Sequence, residues 1–211
     1  MSLRVSHTAA SRRKTTRSDQ RAGTREQIRA AAWALFSTQG YEATTTQSIA
    51  KKAGVATGTV FLHASDKADL LFLVMHDRLA DVVGERFERL PEGPLLDRLI
   101  FVFRGLFEMY AEHPEVAAAF VKSFPGARGP NAQRVATLTY GFLHRLSLLV
   151  ADGQRAGEVA MDLEPLACAQ NVFGLYFMAL LTWIGGHATL EVALDPVLRS
   201  SLALQIRGFR P

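Results

Sequence analysis

Residues 45–63, TTQSIAKKAGVATGTVFLH, constrain the fold of this chain more than any other segment. Apolar residues at helical spacing predict two short helices, at 46–53 and 57–63, with Gly54 at the turn between them. Helices that cross steeply need small residues where they touch, such as Ala50, and a sharp turn needs a residue that accepts a positive φ. An ordinary helical hairpin is the alternative, but this combination is typical of a helix-turn-helix, whose second helix enters the major groove of DNA.

Charge is distributed unevenly along the chain. Residues 1–63 carry ten Lys or Arg and three Asp or Glu, a net charge of +7, whereas the remainder carries −3. The whole chain has a formal charge of +4 and a sequence pI of about 9.5. A basic segment on a mildly acidic body indicates attachment to a polyanion, although charge alone fits a solvated surface equally well. Because the basic segment contains the helix-turn-helix, we predict double-stranded DNA as the partner.

Helical periodicity continues through the rest of the chain, and strand-like alternation does not occur. The predicted helices lie at 24–40, 46–53, 57–63, 66–90, 95–111, 115–123, 132–153, 163–185 and 191–208. The predicted fold is therefore all-α with about nine helices. We expect a flexible basic arm over 1–21, a three-helix DNA-binding domain over 22–65, and a larger helical domain for ligand binding and dimerisation over 66–211.

Several classes of protein are disfavoured by composition. The single cysteine, Cys168, excludes an intrachain disulfide and a cysteine-rich zinc site, and the six histidines are scattered, so we predict no metal and no cofactor. The basic N-terminus lacks the apolar segment of a signal peptide. Polar residues, Gln170 and Asn171 among them, interrupt the apolar run at 166–184, which favours a buried helix over a membrane span. We expect a cytoplasmic protein that does not interact with a membrane.

Two other functions compete with DNA-dependent regulation. A helical enzyme would need convergent acid, base or nucleophilic groups, and the sequence shows no nucleophile–base constellation and no phosphate-binding glycine loop. We therefore predict that the protein is not an enzyme. A helical interaction protein that has lost DNA binding is the second alternative, and salt-dependent binding to duplex DNA would distinguish it from a repressor.

Residues 24–71 resemble the N-terminal domain of the TetR family of transcriptional regulators. The positions that match the family's pattern are Ile28, Ala31, Ala32, Leu35, Phe36, Gly40, Tyr41, Ala43, Thr44, Ile49, Ala50, residues 53–55, Gly58, Thr59, Lys67 and Leu70. The resemblance implies a homodimer in which each subunit has a three-helix DNA-binding domain and a helical ligand-binding domain. It also implies repression of transcription that a small-molecule effector relieves.

The predicted DNA contacts cluster at the two short helices and at the start of the next helix. They are Thr45, Thr46, Gln47, Thr57, Gly58, Thr59, Phe61, His63 and Lys67. Glycine in a helix interior costs about 1 kcal/mol relative to alanine. We attribute Gly58 to close approach of DNA to the recognition helix, which a Cβ would prevent. Lys67 opposes the dipole at a helix start, and the resemblance assigns it to a DNA phosphate.

Three residues depart from the family's pattern. Ala56 stands where a serine usually caps the recognition helix, Phe61 replaces a tyrosine whose hydroxyl reaches a phosphate, and Ala64 replaces a large aromatic residue. We expect these changes to affect the strength or the sequence preference of DNA binding rather than the fold.

Aromatic residues recur at helical spacing in the larger domain, where the resemblance places a ligand pocket. Most such stripes belong to the core, but ligand pockets are also mainly apolar with a few polar groups. We predict an apolar or aromatic effector. The predicted contacts are Phe103, Phe107, Tyr110, His144, Asn171, Phe173 and Phe177.

The last two predicted helices, 163–185 and 191–208, carry more apolar surface than one core-facing stripe requires. The resemblance pairs these helices with their copies in a four-helix bundle. The predicted dimer residues are Leu175, Met178, Thr182, Leu194, Leu198 and Leu202.

Overall fold

A computed structural model describes residues 16–209 of the chain. The described residues form helices and no strand, so the all-α prediction is confirmed. The helices are α1 (Arg17–Gln39), α2 (Thr46–Ala53), α3 (Thr57–Phe61), α4 (Lys67–Glu88), α5 (Leu95–Ala111), α6 (Pro114–Ser123), α7 (Pro130–Arg155), α8 (Pro165–Ile184), α9 (Leu190–Val192) and α10 (Arg199–Gly208). A kinked segment, Ala193–Leu198, joins α9 to α10.

Helix α1 begins earlier than the sequence predicted. Thr16 is its N-cap: the Thr16 hydroxyl accepts a hydrogen bond from the Asp19 amide at 3.2 Å, and the Asp19 carboxylate accepts one from the Thr16 amide at 3.0 Å. This reciprocal pair is a capping box. The predicted flexible arm is therefore wrong for residues 17–21, while residues 1–15 lie outside the described part. The first turns of α1 are polar and exposed, so apolar periodicity gave no sign of them.

Helices α1, α2 and α3 pack around a small core of their own. Ile28, Ile49 and Val60, one from each helix, are fully buried there. Gly54 ends α2 in the left-handed region, with φ 69° and ψ 29°, and its amide donates to carbonyls of the last turn of α2. The positive φ predicted at this turn is confirmed.

Helix α4 connects this group to the larger domain, because it packs against α1 on one side and against α5 and α7 on the other. Buried side chains from α1 to the C-terminal end form one continuous core cluster. Helices α7 and α8 form the most extensive helix pair of the larger domain, with α5 and α6 beside them. The turn between α3 and α4 is therefore packed on this core and does not act as a flexible linker between the two domains.

The last predicted helix, 191–208, is broken. Asp195 has the extended angles φ −145° and ψ 117°, directly before Pro196. Proline disfavours helical angles in the preceding residue and removes one amide donor, which accounts for the break. Leu194, Leu198 and Leu202 are buried in the core of their own subunit, against α5 and α8, so their assignment to the dimer interface was wrong. An apolar strip has the same pattern whether it packs on its own chain or on a copy.

Candidate DNA-binding surface and effector cavity

The recognition helix α3 starts without a side-chain cap. Its N-cap is Ala56, which offers no hydrogen-bond acceptor in its side chain. Gly58, the second residue of α3, is exposed, and a Cβ there would meet no atom of the described protein within 4 Å. Its φ lies outside the positive range, so neither backbone angle nor internal packing requires glycine at this position.

The threonines predicted to contact DNA lie at the N-terminal ends of α2 and α3. Thr45 caps α2: its hydroxyl accepts from the Ser48 amide at 3.0 Å, and the Ser48 hydroxyl accepts from the Thr45 amide at 3.1 Å. Gln47 is exposed in the first turn of α2, and Thr57 and Thr59 are half-buried in α3. Amides without helical partners are concentrated at such helix starts, which suits them to phosphate groups.

Two large apolar side chains are exposed at the C-terminal end of α3. Phe61 is 50% exposed and Leu62 is 71% exposed. Phe61 was a predicted DNA contact and Leu62 was not, because the predicted helix 57–63 contained Leu62, whereas α3 ends at Phe61. Both side chains are open to contact by an external partner.

His63, a predicted DNA contact, is largely buried. Its side chain is only 7% exposed, and burial, together with the positive charges of Arg21 and Arg25, lowers the pKa of its imidazole. The prediction extended α3 to residue 63, but the helix ends at Phe61, and the following turn directs His63 inward. His63 is therefore largely buried, and it borders the surface hollow between α1 and α3 together with Arg21.

Lys67 has partners within the protein that the sequence did not indicate. Its ammonium donates to the carbonyl oxygens of Tyr41 at 3.0 Å and Glu42 at 3.3 Å, and it lies 4.3 Å from the centroid of the Tyr41 ring. These carbonyls offset the unfavourable placement of a cation at a helix start. Lys67 thus ties the start of α4 to the turn after α1, instead of projecting freely toward a phosphate.

Basic residues of α1 extend the surface beside α3. Arg17 and Arg21 line a shallow surface hollow together with Thr24, Thr59 and Leu62. Both arginines lie in the segment predicted to be a flexible arm, although their i, i+4 spacing is that of one helix face. The side of the domain that carries the recognition helix is therefore positively charged.

A narrow cavity of about 50 Å³ lies among α4, α5, α6, α7 and α8. Its lining residues are Leu79, Val83, Leu106, Tyr110, Phe120, Val121, Phe124, Leu138, Thr139, Phe142, Phe173, Tyr176, Phe177 and Leu180. Of the predicted ligand contacts, Tyr110, Phe173 and Phe177 line it. Phe103 and Phe107 are fully buried behind the wall and touch the ring of Tyr176.

Polar groups in the cavity are few. Burial raises the pKa of both the Tyr110 and the Tyr176 hydroxyls. Their mutual interaction raises the pKa of Tyr176 further and partly offsets the rise for Tyr110. The Thr139 hydroxyl donates to the Val135 carbonyl of its own helix at 2.9 Å. The cavity is therefore an aromatic slot in which two neutral phenols are the main polar groups, and Phe142 and Tyr176 are lining residues that sequence analysis did not select.

His144 and Asn171 do not reach the cavity. Both are exposed, and the Asn171 amide donates to the Ala167 carbonyl of its own helix at 3.0 Å. His144 is two residues from Phe142, which places it about 200° around α7 from a residue of the cavity wall. It lines a separate surface groove with Leu148 and Leu166. The prediction that these two residues contact ligand was wrong.

An open cleft of about 490 Å³ adjoins the cavity, with which it shares Val83, Leu138 and Phe142. Arg134 and Arg145, on one face of α7, line this cleft. Among residues 16–209, neither guanidinium has a carboxylate within 4.0 Å. The Arg145 guanidinium lies 4.1 Å from the centroid of the Phe87 ring. The cleft combines positive charge with direct continuity to the apolar slot.

A family model for bacterial regulatory proteins of the tetR family matches residues 28–74. The match starts within α1, contains the whole helix-turn-helix and ends within α4. The helix-turn-helix domain of this chain is therefore that of the TetR family of transcriptional regulators. The chain is a regulator and not an enzyme.

Known relatives extend the similarity beyond the helix-turn-helix. The chain is 24% identical over 159 residues to the fatty acid metabolism regulator protein of Bacillus subtilis (strain 168), a match that covers 75% of this chain and 82% of the relative. Over 69 residues it is 44% identical to the HTH-type transcriptional regulator HbdR of Aromatoleum sp. (strain CIB), covering 33% of this chain and 30% of the relative.

The fold is similar to that of Thermus thermophilus FadR, a TetR family repressor solved in complex with lauroyl-CoA. The TM-score is 0.71 at 23% identity, and the match covers 89% of this chain and 95% of that chain. The predicted order, a helix-turn-helix domain followed by a larger helical domain, is confirmed.

An apolar surface remains exposed on α7 and α8. Met178, 63% exposed, lies on it with Leu166 and Leu181 of α8 and with Tyr140 and Leu148 of α7. By length and composition alone α8 could cross a membrane, a test that core helices of soluble proteins also pass. Among the predicted dimer residues on α8, Leu175 and Thr182 are half-buried, and only Met178 is largely exposed.

Proposed function

We propose that the protein is a homodimeric cytoplasmic repressor whose effector has a long apolar chain and an anionic head group. The acyl-CoA class fits this description. The observation that supports it most strongly is the pairing of an aromatic slot with an adjoining cleft that carries Arg134 and Arg145. Thermus thermophilus FadR, with a similar fold, was solved with lauroyl-CoA.

The two arginines supply the argument for the head group. A guanidinium binds phosphate oxygens through two parallel hydrogen bonds and keeps its charge at any physiological pH. Neither Arg134 nor Arg145 is neutralised by a carboxylate within the described chain. A coenzyme A thioester would place its phosphates in the cleft while the acyl chain enters the slot between α5, α7 and α8.

The size of the slot supports a link between effector and DNA. Ligand pockets usually measure about 300–1,000 Å³, whereas this slot measures about 50 Å³. An acyl chain therefore enters only if the surrounding helices move apart. Helix α4 packs against α1 of the DNA-binding domain, and Asn131 of α7 donates a hydrogen bond to the His63 carbonyl just after α3. Movement of α4 and α7 would therefore reach α3.

DNA binding is proposed for the exposed surface of α2, α3 and the first turns of α1. Thr46, Gln47, Thr57, Gly58 and Thr59 supply the contacts at the two helix starts, and the net charge of +7 over residues 1–63 favours the phosphate backbone. In a homodimer held by the apolar surface of α7 and α8, two recognition helices would read successive major grooves about 34–36 Å apart on a pseudopalindromic operator.

Release of a bound duplex tests the proposal. The duplex is selected by the wild-type protein from a random-sequence pool, and lauroyl-CoA is titrated into the complex at one fixed salt concentration. We expect lauroyl-CoA to release the duplex, and we expect lauric acid and coenzyme A alone to need much higher concentrations. Release by an uncharged aromatic compound, but not by lauroyl-CoA, would contradict the proposed effector class.

A matched pair of variants tests the head-group site. Arg134→Ala should raise the lauroyl-CoA concentration for half-release by about tenfold or more, since charge-assisted hydrogen bonds contribute about 1.5–3 kcal/mol. Arg207→Ala, on the exposed side of α10, removes the same charge away from the cleft and should change nothing. Equal shifts in both variants would indicate a general charge effect rather than a site.

A further inference from the structure

A buried carboxylate joins the start of α4 to the start of α7. Asp69 is fully buried. Its Oδ1 accepts hydrogen bonds from the backbone amides of Asn131 at 2.9 Å and Ala132 at 3.0 Å, and its Oδ2 accepts from the Ser65 amide at 3.0 Å. Asp69 thus caps α7 from a different helix and satisfies amides that no intrahelical carbonyl can reach.

Asn131 extends this connection in two directions. Its Nδ2 donates both to Asp69 Oδ2 at 3.0 Å and to the main-chain carbonyl of His63 at 2.9 Å. Its Oδ1 accepts from Arg25 Nη2 of α1 at 2.8 Å. Asn131 is itself fully buried, and every polar atom of its side chain is used. One asparagine therefore holds α1, the turn after the recognition helix and α4 to the first turn of α7.

The approach of α7 to Asp69 depends on Gly129, the residue before the helix. Gly129 has φ +111°, and a Cβ there would lie 2.5 Å from Asp69 Cγ and 2.6 Å from Ser65 Oγ. Any side chain would push the start of α7 away from the carboxylate. Gly126, in the same loop, also has a positive φ of +75°, but a Cβ there would meet no described atom within 4 Å.

We propose that Asn131 is a positioning residue for DNA binding, and that its hydrogen bonds carry the state of the effector cavity to the recognition helix. The wall of the cavity on α7 is formed by Leu138, Thr139 and Phe142, two to three turns from Asn131. Helices transmit displacement as rigid units, so opening of the cavity moves the N-terminal end of α7. Through its hydrogen bond to the His63 carbonyl, Asn131 then shifts the backbone two residues beyond the end of α3.

The role in DNA binding requires only that the protein binds a duplex, whereas the transmission step rests on the proposed effector. Three dissociation constants distinguish these two roles of Asn131. They are the Kd for the selected duplex without effector, the Kd for the same duplex in the presence of lauroyl-CoA, and the Kd of the DNA-free protein for lauroyl-CoA. The ratio of the first two measures the coupling. A residue with a purely structural role lowers the melting temperature without changing that ratio.

Asn131→Ala should weaken duplex binding of the effector-free dimer by about tenfold and bring the coupling ratio close to one, while lauroyl-CoA still binds. Gln133→Ala removes a side-chain amide at an exposed site two residues along α7 and should leave all three quantities unchanged. A folded Asn131→Ala dimer with wild-type duplex affinity and wild-type coupling would overturn the proposal.

Gly129→Ala is the second variant, and it decides the question if Asn131→Ala does not fold, because it keeps every side chain of the network. It should weaken duplex binding and coupling in the same direction, whereas Gly126→Ala, which carries similar backbone strain, should not. Equal behaviour of the two glycine variants would also overturn the proposal. If lauroyl-CoA fails to release wild-type protein, the proposed effector is wrong, and the effector-free Kd still decides the role of Asn131.

Discussion

The ring of Tyr176 on α8 stacks on the ring of Phe103 on α5, with centroids 4.6 Å apart and planes 10° from parallel. Tyr176 lines the cavity, while Phe103 is fully buried behind it. The position of the cavity wall therefore depends on a residue that a ligand does not touch.

Removal of the Phe103 ring should destabilise the protein and loosen this wall. We expect Phe103→Ala to lower the free energy of unfolding by about 3–5 kcal/mol, the range for deletion of a buried aromatic ring. Urea denaturation at fixed protein concentration measures the change. Phe61→Ala, which removes the same ring from an exposed site, should have a much smaller effect.

Gly58→Ala should act in opposite directions on stability and on DNA binding. Alanine favours a helix over glycine by about 1 kcal/mol, so thermal stability should rise or stay constant. Duplex binding should weaken, since the new Cβ occupies space between α3 and the DNA, and Gly58→Val should abolish it. Gly84→Ala, in the interior of α4 with open space around its Cβ, is the control that should keep full affinity. Unchanged binding by Gly58→Val would falsify our explanation of this glycine.

Phe61→Tyr should tighten the complex with DNA. The exposed ring would gain a hydroxyl able to donate to a phosphate, and a charge-assisted hydrogen bond contributes about 1.5–3 kcal/mol before desolvation. With one such bond per subunit, we expect at least a tenfold lower Kd. The gain should be similar on the selected duplex and on unrelated duplex, because phosphate contacts do not specify sequence. Equal affinities of the two proteins would show that residue 61 does not face a phosphate.

His63 should make folding stability depend on pH. Burial and the charges of Arg21 and Arg25 lower its pKa, so the unfolded state binds the proton more readily. Its contribution is complete above the unfolded value of about 6.5 and decreases as the pH falls below it. Unfolding free energies at pH 7.5 and 5.5 should differ more for wild type than for His63→Gln. The same difference in both proteins would contradict the lowered pKa.

Met178→Lys should dissociate the proposed homodimer. Lysine at a position that is 63% exposed in the single chain adds little strain there, but a charge in the middle of an apolar interface is unfavourable. Sedimentation should show a monomer at micromolar concentration, with wild-type helical content. Met161→Lys, at a methionine that is 72% exposed outside α7 and α8, should remain dimeric; a dimeric Met178→Lys would place the interface elsewhere.

Sequence periodicity and turn residues predicted the helices and the positive φ of Gly54, because both depend on local interactions. The inward direction of His63 and the partners of Lys67 could not be predicted, since a single turn after α3 and two carbonyls about 25 residues away determine them. Tyr110, selected from its aromatic stripe, lines the cavity, whereas His144 lies on another face of α7, because a polar residue among apolar ones indicates no particular helix face. The Asp69–Asn131 contact joins residues 62 positions apart, and no local pattern indicates such a pair.

The small volume of the slot, about 50 Å³, has a consequence for how such a regulator distinguishes fatty chains. Separation of the aromatic rings requires a roughly fixed amount of free energy, whereas each methylene that leaves water contributes about 0.8 kcal/mol. For short chains, the free energy gained by burying methylenes is therefore smaller than the free energy needed to open the slot. Beyond a certain chain length it is larger. The packed aromatic side chains would thus act as a threshold detector, with the cut-off in carbon number set by the rings themselves.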